Sequence, residues 1–96
     1  MQRISVRRLR RVSRYWNRRI NYDPYEGPRR SLLEAVQQGG ICHNYVEAKG
    51  RRLQGMGVSP EELEVGIGYT LGENEGEAHS VLIYEDRVLD NRNNKV

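Results

Sequence analysis

The hydrophobic period of this chain changes once. From Val6 to Leu53 apolar residues recur every three or four positions, and from Leu63 onwards they alternate. The first spacing lines side chains along one face of a helix, and the second lines them along one face of a strand. Helices first and strands afterwards describe an α+β domain, with N-terminal helices followed by a small antiparallel sheet. The 96 residues read as one domain, 1–96, without repeats. Its core must be modest, because a chain of this size leaves much of its surface in water.

Val6, Leu9, Val12, Trp16 and Ile20 predict a helix from about Val6 to Arg19. The stretch "NYDPYEGP" ends it with a turn-rich loop. A second helix is expected over about Arg29–Gln38, with Leu32, Leu33 and Val36 on one face and Gly39 stopping it. The third runs from Cys42 to about Gln54 with Val46 and Leu53 inward, and Gly50 weakens its last turn. Ser59 to Glu62 reads S-x-x-E, a capping box with Pro60 at the first position of a short helical turn. Strands follow at Leu63–Leu71, Ala78–Glu85 and Arg87–Asn91. The polar loop "GENEGE" joins the first two, and a two-residue turn at Glu85-Asp86 joins the last two.

Charge is unevenly placed. Between Gln2 and Arg19 there are eight Arg and no acid, while acids gather in "SPEELE" and "GENEGE", and the net charge is +3. Residues 1–20 therefore form a basic amphipathic arm. No aromatic residue interleaves with these arginines on a strand, and no nucleic-acid motif accompanies them. The arm reads first as a solvated helix face, and only second as a surface for nucleic acid or an acidic partner. No apolar run reaches membrane-spanning length, so no membrane partner is expected. The N-terminus lacks the apolar segment of a secretory signal, which predicts a cytoplasmic protein. A single Cys allows no internal disulfide.

That Cys lies in "QQGGICHNYVEAKGRRL", at the predicted start of the third helix. A helix N-terminus favours the thiolate and offers the Cys42 N–H to an oxyanion. Gly39 and Gly40 would let a substrate backbone come close. A base is needed, and His43, adjacent on the helix, points roughly 100° away from Cys42, which leaves His79. If Glu85-Asp86 is a two-residue turn, Tyr84 pairs with Arg87, Val81 with Asp90 and His79 with Arg92. Alternation then puts His79, Val81 and Asp90 on one face, with His79 and Asp90 diagonal neighbours. Cys42, His79 and Asp90 can thus form a catalytic set. Each residue also has a plain structural role open to it: a buried thiol, a half-buried imidazole and a turn-closing carboxylate. Metal binding through Cys42, His43, His79 and Asp90 matches no zinc spacing, and neither metal nor cofactor is expected.

At these residues the chain resembles the bacterial transglutaminase-like cysteine peptidases. Their pattern runs from a "VN..I.Y..D" segment through "P.E.L..G.GDCEDYA..K...L...G" to an "H.VL" strand and an "LDN" strand. Here the matching stretches are "WNRRINYDPY", "PRRSLLEAVQQGGICHNYVEAKGRRLQGMGV" and "AHSVLIYEDRVLDN", covering about Trp16 to Asn91. The resemblance implies a papain-like α+β fold and a bacterial source, and the small, Arg-rich form of the chain adds a phage as an alternative source. It also implies a thiol hydrolase, or acyl transferase, acting on a peptide or amide bond of a protein or peptide substrate. It makes Cys42 similar to the nucleophile, His79 to the base and Asp90 to the residue that orients the base. Asn17, matching the Asn of the first segment, is implied as a substrate-side or oxyanion contact. Where the family reads Asp-Cys-Glu-Asp-Tyr, this chain reads Ile41-Cys42-His43-Asn44-Tyr45, and Asp23 directly follows Tyr22. The missing acids are those that give family members a calcium dependence, so none is expected here. A binding module that kept the fold and lost the activity is the alternative.

Overall fold

The computed structural model describes residues 3–69 and 78–96. The expected loop 72–77, and residues 70–71 of the first expected strand, lie outside them. Three helices, α1 (Val6–Arg19), α2 (Leu32–Gln38) and α3 (Cys42–Gly55), precede three strands, β1 (Leu63–Tyr69), β2 (Ala78–Tyr84) and β3 (Arg87–Leu89). Short 3-10 turns occupy Gly27–Arg29 and Pro60–Glu62. The sheet is antiparallel with strand order β1-β2-β3.

Local chemistry explains most boundaries. Ser5 caps α1 by accepting the Arg8 N–H at 3.2 Å. The second helix starts later than its apolar spacing suggests, because Ser31 and Glu34 form a capping box. The Ser31 hydroxyl accepts the Glu34 N–H, and the Glu34 carboxylate accepts the Ser31 N–H at 3.1 Å. Arg30 before it is extended, and Leu33, expected inward, is exposed. Gly39 ends α2 at φ 106°, a conformation glycine adopts without strain. Glu85 and Asp86 both take positive φ, 50° and 62°, as a two-residue hairpin turn of the primed type requires. The register is the one that turn dictates: Tyr84 faces Arg87, Ile83 faces Val88 and Leu82 faces Leu89. The ladder stops at Leu89, short of the expected Asn91. The Asp90 carboxylate accepts the Arg92 N–H at 3.1 Å and turns the chain away.

The core has two parts that meet at the half-buried Trp16. Leu9, Val12, Leu53, Val58, Leu82, Tyr84 and Leu89 fill the space between α1, α3 and the sheet, closed by Ile4. Ile20, Ala35, Tyr45 and Ala48 fill the space between α2, α3 and the end of α1. Burying each of the large aliphatic side chains contributes about 1.5–3 kcal/mol. The buried Tyr45 and Tyr84 keep their hydroxyls paired: Tyr84 Oη accepts the Ile4 N–H at 3.2 Å, and Tyr45 Oη donates to the Ile20 carbonyl at 2.7 Å. Gly50 does not interrupt α3, which continues to Gly55, and a side chain there would meet Leu82 Cδ1 of β2 at 3.9 Å.

Candidate active site

Cys42 is the first residue of α3, half-buried, with its Sγ accepting the Ser80 N–H of β2 at 3.4 Å. This contact ties the helix start to the strand that carries His79. His79 is the second residue of β2, and its Nε2 lies 2.7 Å from Oδ1 of Asp90, which directly follows β3. Both side chains are largely shielded, 14% and 19% exposed, so their attraction is weakly screened by solvent. Cys42 and His79 open into one cleft of about 200 Å³. Tyr22, Pro24, Pro28 and Ile41 line it on the helical side of the sequence, Asn91 and Arg92 on the tail.

The approach to Cys42 is built by backbone pairing. Gly40 donates to the Asn21 carbonyl at 2.8 Å and accepts the Asp23 N–H at 2.8 Å, which lays residues 21–23 alongside the glycine pair. A side chain at Gly40 would meet Asn44 Oδ1 at 2.5 Å and Ala35 Cβ at 2.7 Å, and one at Gly39 would meet the Asn21 carbonyl at 3.0 Å. The two glycines therefore admit this chain's own backbone and side chains, not the substrate backbone expected from the sequence.

Asn17 is placed away from the lining of that cleft. Its Nδ2 lies 3.0 Å from each of the Asp90 carbonyl, the Asn93 carbonyl and Asn94 Oδ1, and its Oδ1 is buried without a partner. It holds the backbone of Asp90 in place. His43 is exposed, one residue along the helix from Cys42.

Lys49 occupies the Lys position of the peptidase block, although the sequence alone assigned it no role. It lies seven residues after Cys42, on the same side of α3, because two helical turns are close to seven residues. Its side chain is fully buried, its Nζ lacks a hydrogen-bond partner, and that Nζ sits 5.8 Å from the Tyr45 ring centroid. Burial pushes its pKa down to about 8, against the opposing pull of the Asp90 charge. Burial likewise raises the Tyr45 phenol. Two signals in the sequence mark it: the Lys of the peptidase block at this spacing from the Cys, and its helical phase with Cys42 and Leu53, which a Lys would ordinarily contradict.

A metal centre finds little support in these side chains. Asp23 Oδ1 accepts the Tyr25 and Glu26 N–H groups, and Oδ2 accepts from Arg30 at 2.9 Å. The Glu26 N–H above all, with Tyr25 and Arg30, holds this carboxyl below the usual range. Arg30 Nη1 is also within 2.8 Å of the Gln38 carbonyl and 2.9 Å of the Gly39 carbonyl. A guanidinium therefore already fills the cluster of hard oxygens formed by Asp23 and the Gln38 and Gly39 carbonyls. Asn44 Oδ1 is taken by the Ile41 N–H at 2.9 Å. Among the described residues no three His, Cys, Asp or Glu side chains come together to hold a metal ion. The residues do not fit a calcium cage, which needs about six to eight oxygens with several carboxylates.

Three helices packed on a three-stranded antiparallel sheet, with the thiol at a helix start and the imidazole on a strand, make an α+β domain of the transglutaminase-like kind. Among solved structures the chain is similar to Legionella pneumophila LapG in its calcium-bound form, a transglutaminase-like cysteine protease, with a TM-score of 0.67 and 25% sequence identity. The likeness covers 91% of this chain and 54% of LapG, so the chain spans about half of LapG's length. It supports a distant relationship. No protein-family profile and no curated protein matches the chain. No helix of the described residues is long and apolar enough to cross a membrane.

Proposed function

We propose that this protein is a thiol hydrolase that opens a peptide or amide bond of a protein or peptide substrate, with Cys42, His79 and Asp90 as its catalytic set. The observation that carries the reading is the 2.7 Å contact between His79 Nε2 and Asp90 Oδ1, behind a cleft into which Cys42 and His79 both open. With Nε2–H donated to Asp90, Nδ1 is left unprotonated as the nitrogen that takes the thiol proton. Cys42 Sγ attacks the carbonyl carbon, and the oxyanion is met by the Cys42 N–H at the helix start. His79 returns the proton to the leaving amine as the C–N bond breaks, giving a thioester. Water, deprotonated by His79, then splits the thioester and restores the thiol. An amine entering in place of water would make the same site an acyl transferase. Asn17 serves this reading through Asp90, whose carbonyl it holds.

The test is the rate of Cys42 carboxymethylation by iodoacetamide as a function of pH. The reading requires a thiolate well below the ordinary pH range of a free Cys, lost in both His79→Ala and Asp90→Asn. An ordinary thiol profile that neither substitution changes would reject it. That result would favour a binding module on this fold, consistent with Ile41, His43 and Asn44 standing where the family carries acids.

A further inference from the structure

At 100° per residue, Arg7, Arg11, Arg14 and Arg18 of α1 fall within about 60° of arc and run about 16 Å along the helix. All are exposed, while Leu9, Val12 and Ser13 on the other side are buried. Among the described residues the ion pairs are Arg3–Glu85, Arg30–Asp23, Arg51–Glu47 and His79–Asp90, so no arginine of α1 has a carboxylate partner. Arg7 and Arg11, Arg10 and Arg14, and Arg14 and Arg18 are like charges at i,i+4, a pattern that destabilises a helix. The first turn of α1 carries no acid to offset them. A merely solvated face would be better served by mixed signs.

Beside the stripe, Tyr15 is 58% exposed and packs edge-on against Trp16, ring centroids 4.9 Å apart. Arg14, Arg18 and Arg19 surround it in a shallow depression of about 400 Å³, and Arg19 is steadied by donating to the Val36 carbonyl at 2.8 Å. We infer that this face of α1 binds single-stranded nucleic acid, the arginine stripe holding phosphates and Tyr15 taking an unstacked base. An anchored aromatic rimmed by guanidinium groups is what base stacking with backbone neutralisation requires. A duplex hides its base faces and would leave Tyr15 without a role. Insertion into a membrane needs an apolar helix face, and the apolar side of α1 is spent in the core.

The experiment is fluorescence anisotropy of a labelled oligothymidylate with the full chain, titrated over a range of salt. Affinity should fall with salt, and each of Arg14→Gln and Arg18→Gln should reduce the log–log slope by about 0.7. Tyr15→Ala should weaken binding by roughly five- to a hundredfold with the slope unchanged, while Tyr15→Phe, which keeps the packing on Trp16, should bind as the parent does. Thermal melts of each variant check that the fold is kept. The inference is overturned if a hairpin duplex binds as tightly as the single strand, or if folded Tyr15→Ala keeps full affinity. It is equally overturned if only polyglutamate or phosphatidylserine vesicles bind, or if nothing binds at low salt.

Discussion

At the scale of single residues, Lys49 and Asn17 carry consequences that can be measured. The unfolded chain holds the Lys49 proton up to the ordinary lysine range near pH 10.4, whereas the folded protein releases it at about 8. Between these values the unfolded state binds more protons, so this group makes stability rise with pH from about 8 towards 10. Tyr45, whose phenol is raised by burial, contributes the opposite slope only from about pH 10 upwards. Denaturant unfolding at pH 8 and pH 9.5 should show the rise in the parent, and Lys49→Met should flatten it. Asn17→Ala should cost about 0.5–1.5 kcal/mol, because the part-buried Asp90 carbonyl loses a donor while the exposed Asn93 carbonyl can turn to water. It should also slow alkylation of Cys42 in the direction that Asp90→Asn does, while Asn94→Ala, which removes only the exposed side-chain partner, should leave the rate near the parent value. The His79–Asp90 pairing was legible in advance because both residues sit on a hairpin, where alternation and turn length decide which side chains meet. The contacts of Asn17 were not, since its partners come from a tail that no local period connects to α1, and the full burial of Lys49 was not, since it depends on how α3 is covered by the rest of the fold.

At the scale of elements, the β2–β3 hairpin is the most exposed to redesign. Its turn holds Glu85 and Asp86 in the left-handed region, which Asp tolerates through its short polar side chain but which costs a residue such as Glu85 roughly 1–2 kcal/mol. Replacing the pair, Glu85→Asn with Asp86→Gly, should therefore raise stability by about 1 kcal/mol or more, read as a higher denaturant midpoint at constant m-value. The gain should hold unless the exposed Arg3–Glu85 contact, 3.8 Å long, contributes more than such surface pairs do. The helices were readable from their apolar spacing, and the capping box at Ser59 from its S-x-x-E pattern, which the Ser59 N–H confirms by donating to the Glu62 carboxylate at 2.9 Å. The start of α2 was misplaced by about three residues. Apolar spacing cannot see a cap, and the S-x-x-E at Ser31 sits just inside the predicted helix.

For the molecule as a whole, the relation to LapG raises the matter of calcium. The Arg30 guanidinium among the oxygens of Asp23, Gln38 and Gly39, and the engagement of Asn44, imply that folding and Cys42 reactivity do not depend on that ion. Thermal melts with excess calcium and with chelator should coincide. A real site held at a hundredfold its dissociation constant would add about 2.7 kcal/mol, a rise on the order of 10 °C in a domain of this size. The order of elements, the inward faces of α1 and α3, and the pairing of His79 with Asp90 followed from the amino-acid order, because each depends on short-range periodicity or on one tight turn, whereas Leu33 of α2, expected inward, is exposed. The filling of the space around Gly39 and Gly40, the burial of Lys49 and the anchoring of the Asp90 backbone by Asn17, 73 residues away, came from packing. Such contacts depend on how whole elements are stacked, and stacking leaves no periodic trace along a chain.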